Sequence, residues 1–242
     1  MSVRKPCLFT MLTMIVGLAV ASLGVQKNEV DLPLGRSHRV KARGATSGIP
    51  PAVLLPVQSR ETNDLSAGKI LVASRGLADP NFARTVVLLV RDDADGVVGL
   101  ILNRRTDVPI SRVLEESKAA KDRLDPIYLG GPVDTPKVFA LLQSPAKVEA
   151  AEHVFDGVYL IPTKPLFEQT LSARPDPGVL RVYLGYAGWN DNQLRREVAL
   201  GAWFIFPADA KMVFDPDPDS LWSRMIRKTE LEFAKTSGMS PL

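Results

Sequence analysis

The sequence predicts one α+β domain over residues 65–230, and three observations carry that reading. Short apolar, β-branched runs recur at irregular spacing, some of them alternating with the period-two pattern of half-buried strands. Three or four short helical stretches with their own start signals fall between them. No internal repeat is present.

Taken in order, Lys69 to Ser74 is short and apolar between Gly68 and Gly76, and reads as a strand. Thr85 to Val90 is a second apolar run, and Asp92-Asp93-Ala94-Asp95-Gly96 turns the chain into Val97 to Leu102, a hairpin pattern. Pro109 to Glu116 predicts a short helix capped near Ser111. Ile127 to Leu129 and Val138 to Leu142 flank the Gly130-Gly131-Pro132 turn as two more strands. Val154 to Ile161 reads as another strand, and Lys164 to Leu171 as a helix with Leu166, Phe167 and Leu171 inward. Val179 to Tyr186 alternates most clearly, with Leu180, Val182 and Leu184 on one face and Arg181, Tyr183 and Gly185 on the other. Asn190 caps the next helix, with Gln193 placed as the reciprocal partner of a capping box. In that helix Leu194 and Val198 share a face while Arg195 and Arg196 turn to water, and Ala202 to Phe206 then returns as a strand. Asp217 caps a last helix whose first position is Pro218, where a missing N–H costs nothing. Leu221, Trp222, Met225 and Ile226 pack that helix down.

Residues 1–24 read as a signal peptide or membrane anchor, 25–64 as a flexible linker, and 231–242 as a C-terminal tail. Arg4 and Lys5 precede an uncharged run from Pro6 to Gln26. Its most apolar part, Leu8 to Val20, fits the ~7–15 residues of a signal-peptide core. Ala19-Val20-Ala21 then offers small residues at the positions a signal peptidase reads. The same run approaches the ~20 residues of a spanning helix, so an uncleaved anchor is the alternative. A cytoplasmic protein with a misread start is the third reading. The single cysteine, Cys7, lies before the apolar core, out of place for lipid attachment. Cleavage would leave a domain without thiol chemistry or disulfides. A body of roughly 175 residues buries a sufficient core without them.

The leader and linker carry the basic charge. Residues 1–44 hold seven basic and two acidic side chains, a net of +5 against +3 for the whole chain, which leaves −2 for residues 45–242. Nucleic-acid binding rests on Lys and Arg neutralising phosphates, and an acidic domain does not support it. The motifs of phosphate-binding loops, dinucleotide folds, zinc peptidases and serine hydrolases are all missing. His38 and His153 are the two histidines, a poor basis for a zinc site, which needs three or four ligands. Counting a calcium loop from Asp215 puts Ser220 where glycine is needed and Ile226 where glutamate is needed. The run at Asp93 and Asp95 fails equally, with Arg91 first and Leu102 twelfth. No metal and no cofactor is expected.

Three ordered motifs remain: Ala73-Ser74-Arg75-Gly76-Leu77-Ala78-Asp79-Pro80-Asn81-Phe82, then Gly130-Gly131-Pro132-Val133, then Gly185-Tyr186-Ala187-Gly188-Trp189 followed by Gln193-Leu194, Glu197, Gly201 and Trp203. Together, over Gly68 to Arg227, they resemble the YqgE/AlgH family of bacterial proteins. The resemblance implies a bifurcated mixed and antiparallel sheet curled into a partial barrel with short flanking helices. It implies no agreed biochemical activity. Many members have a histidine where this chain reads Arg91-Asp92, and another where it reads Leu142-Gln143. Gly-Pro is common where this chain reads Asn190-Asp191-Asn192. Chemistry that depended on those histidines is not available here.

The candidate site consists of the polar and aromatic residues embedded in the motifs: Arg75, Asp79, Asn81, Arg84, Asn103, Gly130, Gly131, Tyr186, Trp189 and Glu197. Arg75, Arg84 and Asn103 would meet the Tyr186–Trp189 turn in a shallow pocket, a guanidinium fork beside an aromatic wall suited to a small anionic or planar ligand. The bland account of the same residues is structural: turn and strand-end caps at Asp79, Asn81 and Asn103, backbone freedom at Gly130 and Gly131, and buried area at Trp189 and Trp203. No catalytic set is assembled, so a non-enzymatic binding or accessory domain, exported to the periplasm or tethered to the membrane, is the leading expectation. A hydrolase using Glu197 or Asp79 with Arg75 and a transcriptional regulator are the alternatives.

Overall fold

The structure is a computed structural model that describes residues 65–93 and 96–236. The leader and linker expected over 1–24 and 25–64, and turn residues Ala94 and Asp95, lie outside the described residues, as does the tail beyond 236.

The trunk of the sheet is β9 (Leu180–Trp189), the chain's clearest alternating run. Along one edge it pairs antiparallel with β6 (Val133–Gln143). The other edge is shared. Val182–Leu184 pair in parallel with β5 (Pro126–Leu129), while Ala187–Trp189 pair antiparallel with β3 (Gly96–Ile101). The sheet therefore forks at β9. One arm continues from β3 through β2 (Val86–Asp93) and β1 (Lys69–Ala73) to β10 (Trp203–Pro207). The other ends with β4 (Arg105–Pro109) beside β5. Beyond β6 lie β8 (Val158–Ile161) and β7 (Glu152–Phe155). Curling brings β7 back toward β1 and β2. Arg91 donates from Nη2 to both Glu152 carboxylate oxygens at 2.8 Å, and a Cβ on Gly68 would lie 3.1 Å from that of Phe155. The result is the α+β partial barrel that the motifs implied.

Among the described residues five helices accompany the strands: α1 (Ile110–Val113), α2 (Lys164–Ser172), α3 (Asp191–Ala199), α4 (Ala210–Val213) and α5 (Pro218–Thr236). Alternation along each strand sorts side chains into three cores. The inner one runs across both arms, through Ile70, Val72, Leu88, Leu100, Tyr128, Leu141, Leu160 and Tyr183. It is closed by Val213 of α4 and by Leu221, Met225 and Ile226 of α5. The opposite face of the β1–β2–β3 arm carries Leu71, Val87, Leu89, Ile101, Ala187 and Trp189, covered by Leu194 and Val198 of α3. A third core joins Ile127, Ala140, Leu180 and Val182 to Ile110 of α1 and to Phe167 and Leu171 of α2.

The fork depends on glycine. A Cβ on Gly130 would sit 2.3 Å from the Gly185 carbonyl oxygen, and one on Gly131 would sit 2.1 Å from the Tyr186 carbonyl carbon. Gly185 itself has φ +66°, and its Cβ would meet the Gly131 oxygen at 2.6 Å. That positive φ also breaks the alternation of β9. Tyr183 and Tyr186, three residues apart, both join the inner core, where strict period two would separate them.

Several expectations are corrected. Val154 to Ile161 is not one strand but the β7–β8 hairpin, because Asp156 and Gly157 both take positive φ in a two-residue turn. Tyr186 to Trp189 is not a turn but the continuation of β9 along β3. The helix expected from Pro109 to Glu116 shrinks to α1, with Pro109 and not Ser111 at its N-cap. Strand β4 has no apolar alternation to announce it, and short α4 carries no pattern either. Asn190 does cap α3, accepting from the Gln193 backbone N–H at 2.8 Å, but the Gln193 side chain turns to Glu197 and no capping box closes. Helix α5 continues to Thr236.

The fork makes a direct prediction. Gly185→Ala and Gly131→Ala should each lose at least about 2 kcal/mol, or fail to fold, because backbone cannot yield at such distances. Exposed Gly76, with nothing within 4 Å of its added Cβ, should tolerate alanine within about 0.5 kcal/mol. Urea unfolding of the three variants measures the contrast.

Candidate functional site

The β1–β2 connection is built by short-range polar contacts. The Asp79 carboxylate accepts from the Asn81 backbone N–H at 2.8 Å, forming a turn with Pro80 at its centre. Arg84 then adopts φ +58°, a conformation that costs energy for a side chain of its size. Asn103 holds it there. Its Nδ2 donates to the Arg84 carbonyl at 2.9 Å and its Oδ1 accepts from the Val86 N–H at 2.8 Å, so the amide acts as a strand's worth of hydrogen bonding at the start of β2. Arg104 reaches the Pro80 carbonyl at 3.3 Å. Partial burial draws its pKa down from the ordinary arginine value, and Asp79 opposes that shift.

Above this turn lies Trp222 of α5, locked to β1 by a 2.8 Å bond from its Nε1 to the Ala73 carbonyl. Two guanidiniums face its ring, Arg75 at 5.6 Å and Arg84 at 5.8 Å from the centroid. Arg75 forms a two-pronged ion pair with Glu230, Nε to Oε1 at 2.5 Å and Nη2 to Oε2 at 3.2 Å. The pair holds the Glu230 carboxyl below the usual range and raises Arg75, through the hydrogen bond first and the charge second. Among the described residues the Arg84 guanidinium has no carboxylate partner.

Trp189 and Glu197 belong to a different assembly. Glu197 Oε2 accepts from both indoles, Trp189 Nε1 at 3.0 Å and Trp203 Nε1 at 2.9 Å, while Oε1 accepts from Gln193 Nε2 at 2.9 Å. Phe82 stacks on Trp189 at 5.3 Å and meets Trp203 edge-on at 5.7 Å. The two carboxylate oxygens thus serve three donors between them, the duty of a structural anchor. The Asp79 carboxylate is bound to its own turn, and among the described residues no hydrogen bond or ion pair joins it to Glu197.

Tyr186 leaves β9 on the inner face, edge-on to Phe139 at 5.6 Å, with Lys137 Nζ 5.7 Å from its ring. Trp189 leaves on the other. The ten residues expected in one pocket therefore occupy three places. Arg75, Arg84 and Asn103, with the Asp79–Asn81 turn, form a ledge; Trp189 and Glu197 form the indole anchor; Gly130, Gly131 and Tyr186 mark the fork. The aromatic surface beside Arg75 and Arg84 is Trp222, which the sequence presents as one apolar position of a helix some 140 residues away.

Arg181 is a second residue that pattern alone misses. It is 5% exposed, 4.7 Å above the Tyr128 ring, and donates to the carbonyls of Asp215 and Leu102. Tyr183 beside it is fully buried, which pushes its hydroxyl pKa upward. The Asp215 to Asp219 run is occupied by turn and ion-pair duty: Asp215 pairs with Arg224 at 2.7 Å, Asp217 accepts from Ser220, and Asp219 pairs with Arg105 at 2.8 Å. His153 packs edge-on to Tyr159 at 5.4 Å. No group of three or more His, Cys, Asp or Glu placed to hold a metal occurs among the described residues.

The anchor is testable. Glu197→Ala should destabilise by about 2–4 kcal/mol, since two buried indole N–H groups lose their acceptor. Trp189→Phe made in that background should cost less than in the parent, which a double-mutant cycle by chemical denaturation measures.

Comparison with known proteins agrees with this architecture. An AlgH-like family model matches residues 70–234. A UPF0301 protein from Streptomyces avermitilis is 35% identical over 173 residues, covering 69% of this chain and 88% of that protein. One from Chlorobium luteolum is 33% identical over 175 residues, covering 72% and 90%. The solution structure of the AlgH protein from Pseudomonas aeruginosa matches with a TM-score of 0.56 at 28% identity, covering 72% of this chain and 94% of that one. A crystal structure from Corynebacterium diphtheriae has the same fold, with a TM-score of 0.55 at 23% identity. The family model spans well over half of the chain, and the chain belongs to the AlgH-like family.

Proposed function

We propose that this protein is a non-enzymatic binding or accessory domain, exported or membrane-tethered, that holds a small anionic or planar ligand on the Arg84–Trp222 ledge. One observation carries the proposal: an exposed guanidinium without a carboxylate partner among the described residues lies against an indole, on backbone strained to φ +58° and clamped by Asn103. Strain of this kind persists where surrounding structure enforces it, and it gathers at ligand clamps. The indole is equally immobile through its bond to Ala73. Pre-organised groups bind with less loss of freedom than mobile ones.

Benzoate, planar and singly charged, is the first ligand to try. Titration into the 15N-labelled protein should move the Trp222 indole resonance, and Arg84→Ala should abolish the movement while leaving the unfolding midpoint within a few degrees. A Trp222 resonance indifferent to benzoate, or a response that survives Arg84→Ala, would sink the ledge as a binding site.

The location rests on the basic pair Arg4 and Lys5 before the uncharged run from Pro6 to Gln26. No helix among the described residues is long and apolar enough to cross a membrane. Fusing residues 1–66 to a reporter active only outside the cytoplasm should give activity. A shortened soluble product then means cleavage, a full-length product held in the membrane means an anchor, and an inactive fusion with a cytosolic protein would reject export.

A further inference from the structure

Building on the reading of the ledge as an anion site, we infer that its ligand is a phosphomonoester in the dianionic form, and that Glu230 stands in for the ligand on Arg75 until it arrives. The ledge holds two guanidiniums against one indole, Arg75 at 5.6 Å and Arg84 at 5.8 Å. Among the described residues, only Arg75 of the two has a carboxylate partner. Glu230 meets it through both carboxylate oxygens, the two-pronged approach that a phosphate makes to an arginine fork.

That internal pair is easily exchanged. The Arg75 and Glu230 side chains are 60% and 49% exposed, and water screens such a pair until it contributes little. Glu230 also feels the charge of Arg227, so a displaced carboxylate has a second cation beside it. A phosphomonoester carries ~−1.5 to −2 charge near neutral pH and three acceptor oxygens. Such a group satisfies Arg84 and replaces Glu230 on Arg75 at once. A monoanion satisfies Arg84 alone and gains nothing by displacing Glu230. Charge count, not shape, therefore selects the ligand.

The test uses the full chain and two ligands of one shape, phenyl phosphate as the dianion at pH 8 and phenyl sulfate as the monoanion, followed by calorimetry. The parent should bind phenyl phosphate about tenfold more tightly than phenyl sulfate, the effect of one additional charge contact. Glu230→Gln should tighten phenyl phosphate about threefold or more, and should tighten phenyl sulfate too, because Arg75 is then free for either anion. Arg75→Ala should erase the preference between the two, and Arg84→Ala should weaken both. All three side chains are surface groups, and matching unfolding midpoints confirm that the fold is kept. Equal affinity for the two ligands, or a Glu230→Gln variant no better than the parent, overturns the Glu230 inference while leaving an anion ledge standing. Binding of neither ligand by parent and Glu230→Gln alike overturns both. Vesicles of phosphatidylcholine with and without phosphatidic acid separate the sources. Retention on phosphatidic acid that follows the same variant order assigns a lipid headgroup, and its absence alongside phenyl phosphate binding assigns a soluble phosphomonoester; either supports the inference.

Discussion

Everything in this domain is organised around a place where three side chains are missing. At the crossing of Gly130 and Gly131 with Gly185, backbone meets backbone at distances no Cβ permits. That contact lets β9 serve β5 and β3 along a single edge, and so lets one sheet divide into two arms. It also sets the facing of the trunk, since the turn-like φ of Gly185 puts Tyr186 back among the inner core residues. Replace the crossing with any bulk and the arms cannot share a strand. The inner core that spans both arms would lose its continuity, and α5 would lose the surface it closes.

A second constraint is electrostatic. Tryptophan donates one hydrogen bond and accepts none, so two buried indoles ask for acceptors in a region that is otherwise apolar. Glu197 answers both from one oxygen, and Gln193 from the next turn of α3 steadies the other. The helix is thereby fixed against the end of β9 and the start of β10, and Phe82 closes the aromatic group from the β1–β2 connection. A carboxylate in a sequence motif invites a catalytic role. Here three of its roughly four lone-pair sites already serve the fold.

Local physics made much of the architecture legible in the chain itself. Period-two alternation located β9, Asn190 marked the start of α3, and Pro218 that of α5. The glycine pair after β5 marked a turn with free backbone, but its close crossing with Gly185 could not be read. What escaped was set by tertiary contact. The β7–β8 turn hid inside an apolar run because Asp156-Gly157 is short, and β4 hid because its residues are polar and exposed. The candidate site divided for the same reason. Arg75, Arg84 and Asn103 were identifiable from motif position, but Trp222 joins them only because α5 folds back over β1. No spacing rule links positions so distant.

That return of the chain has a temporal side. Strand β1, the first of the described strands, takes β10 as one of its two neighbours, and the inner core is finished by Leu221, Met225 and Ile226. The earliest residues of the domain thus wait for nearly the last before their hydrogen bonds and apolar faces are satisfied. Topologies dominated by such distant pairings assemble slowly. During synthesis the inner core therefore stays unfinished at the ribosome exit until α5 has emerged, whereas the third core, from Ile110 to Val182, needs nothing that follows it.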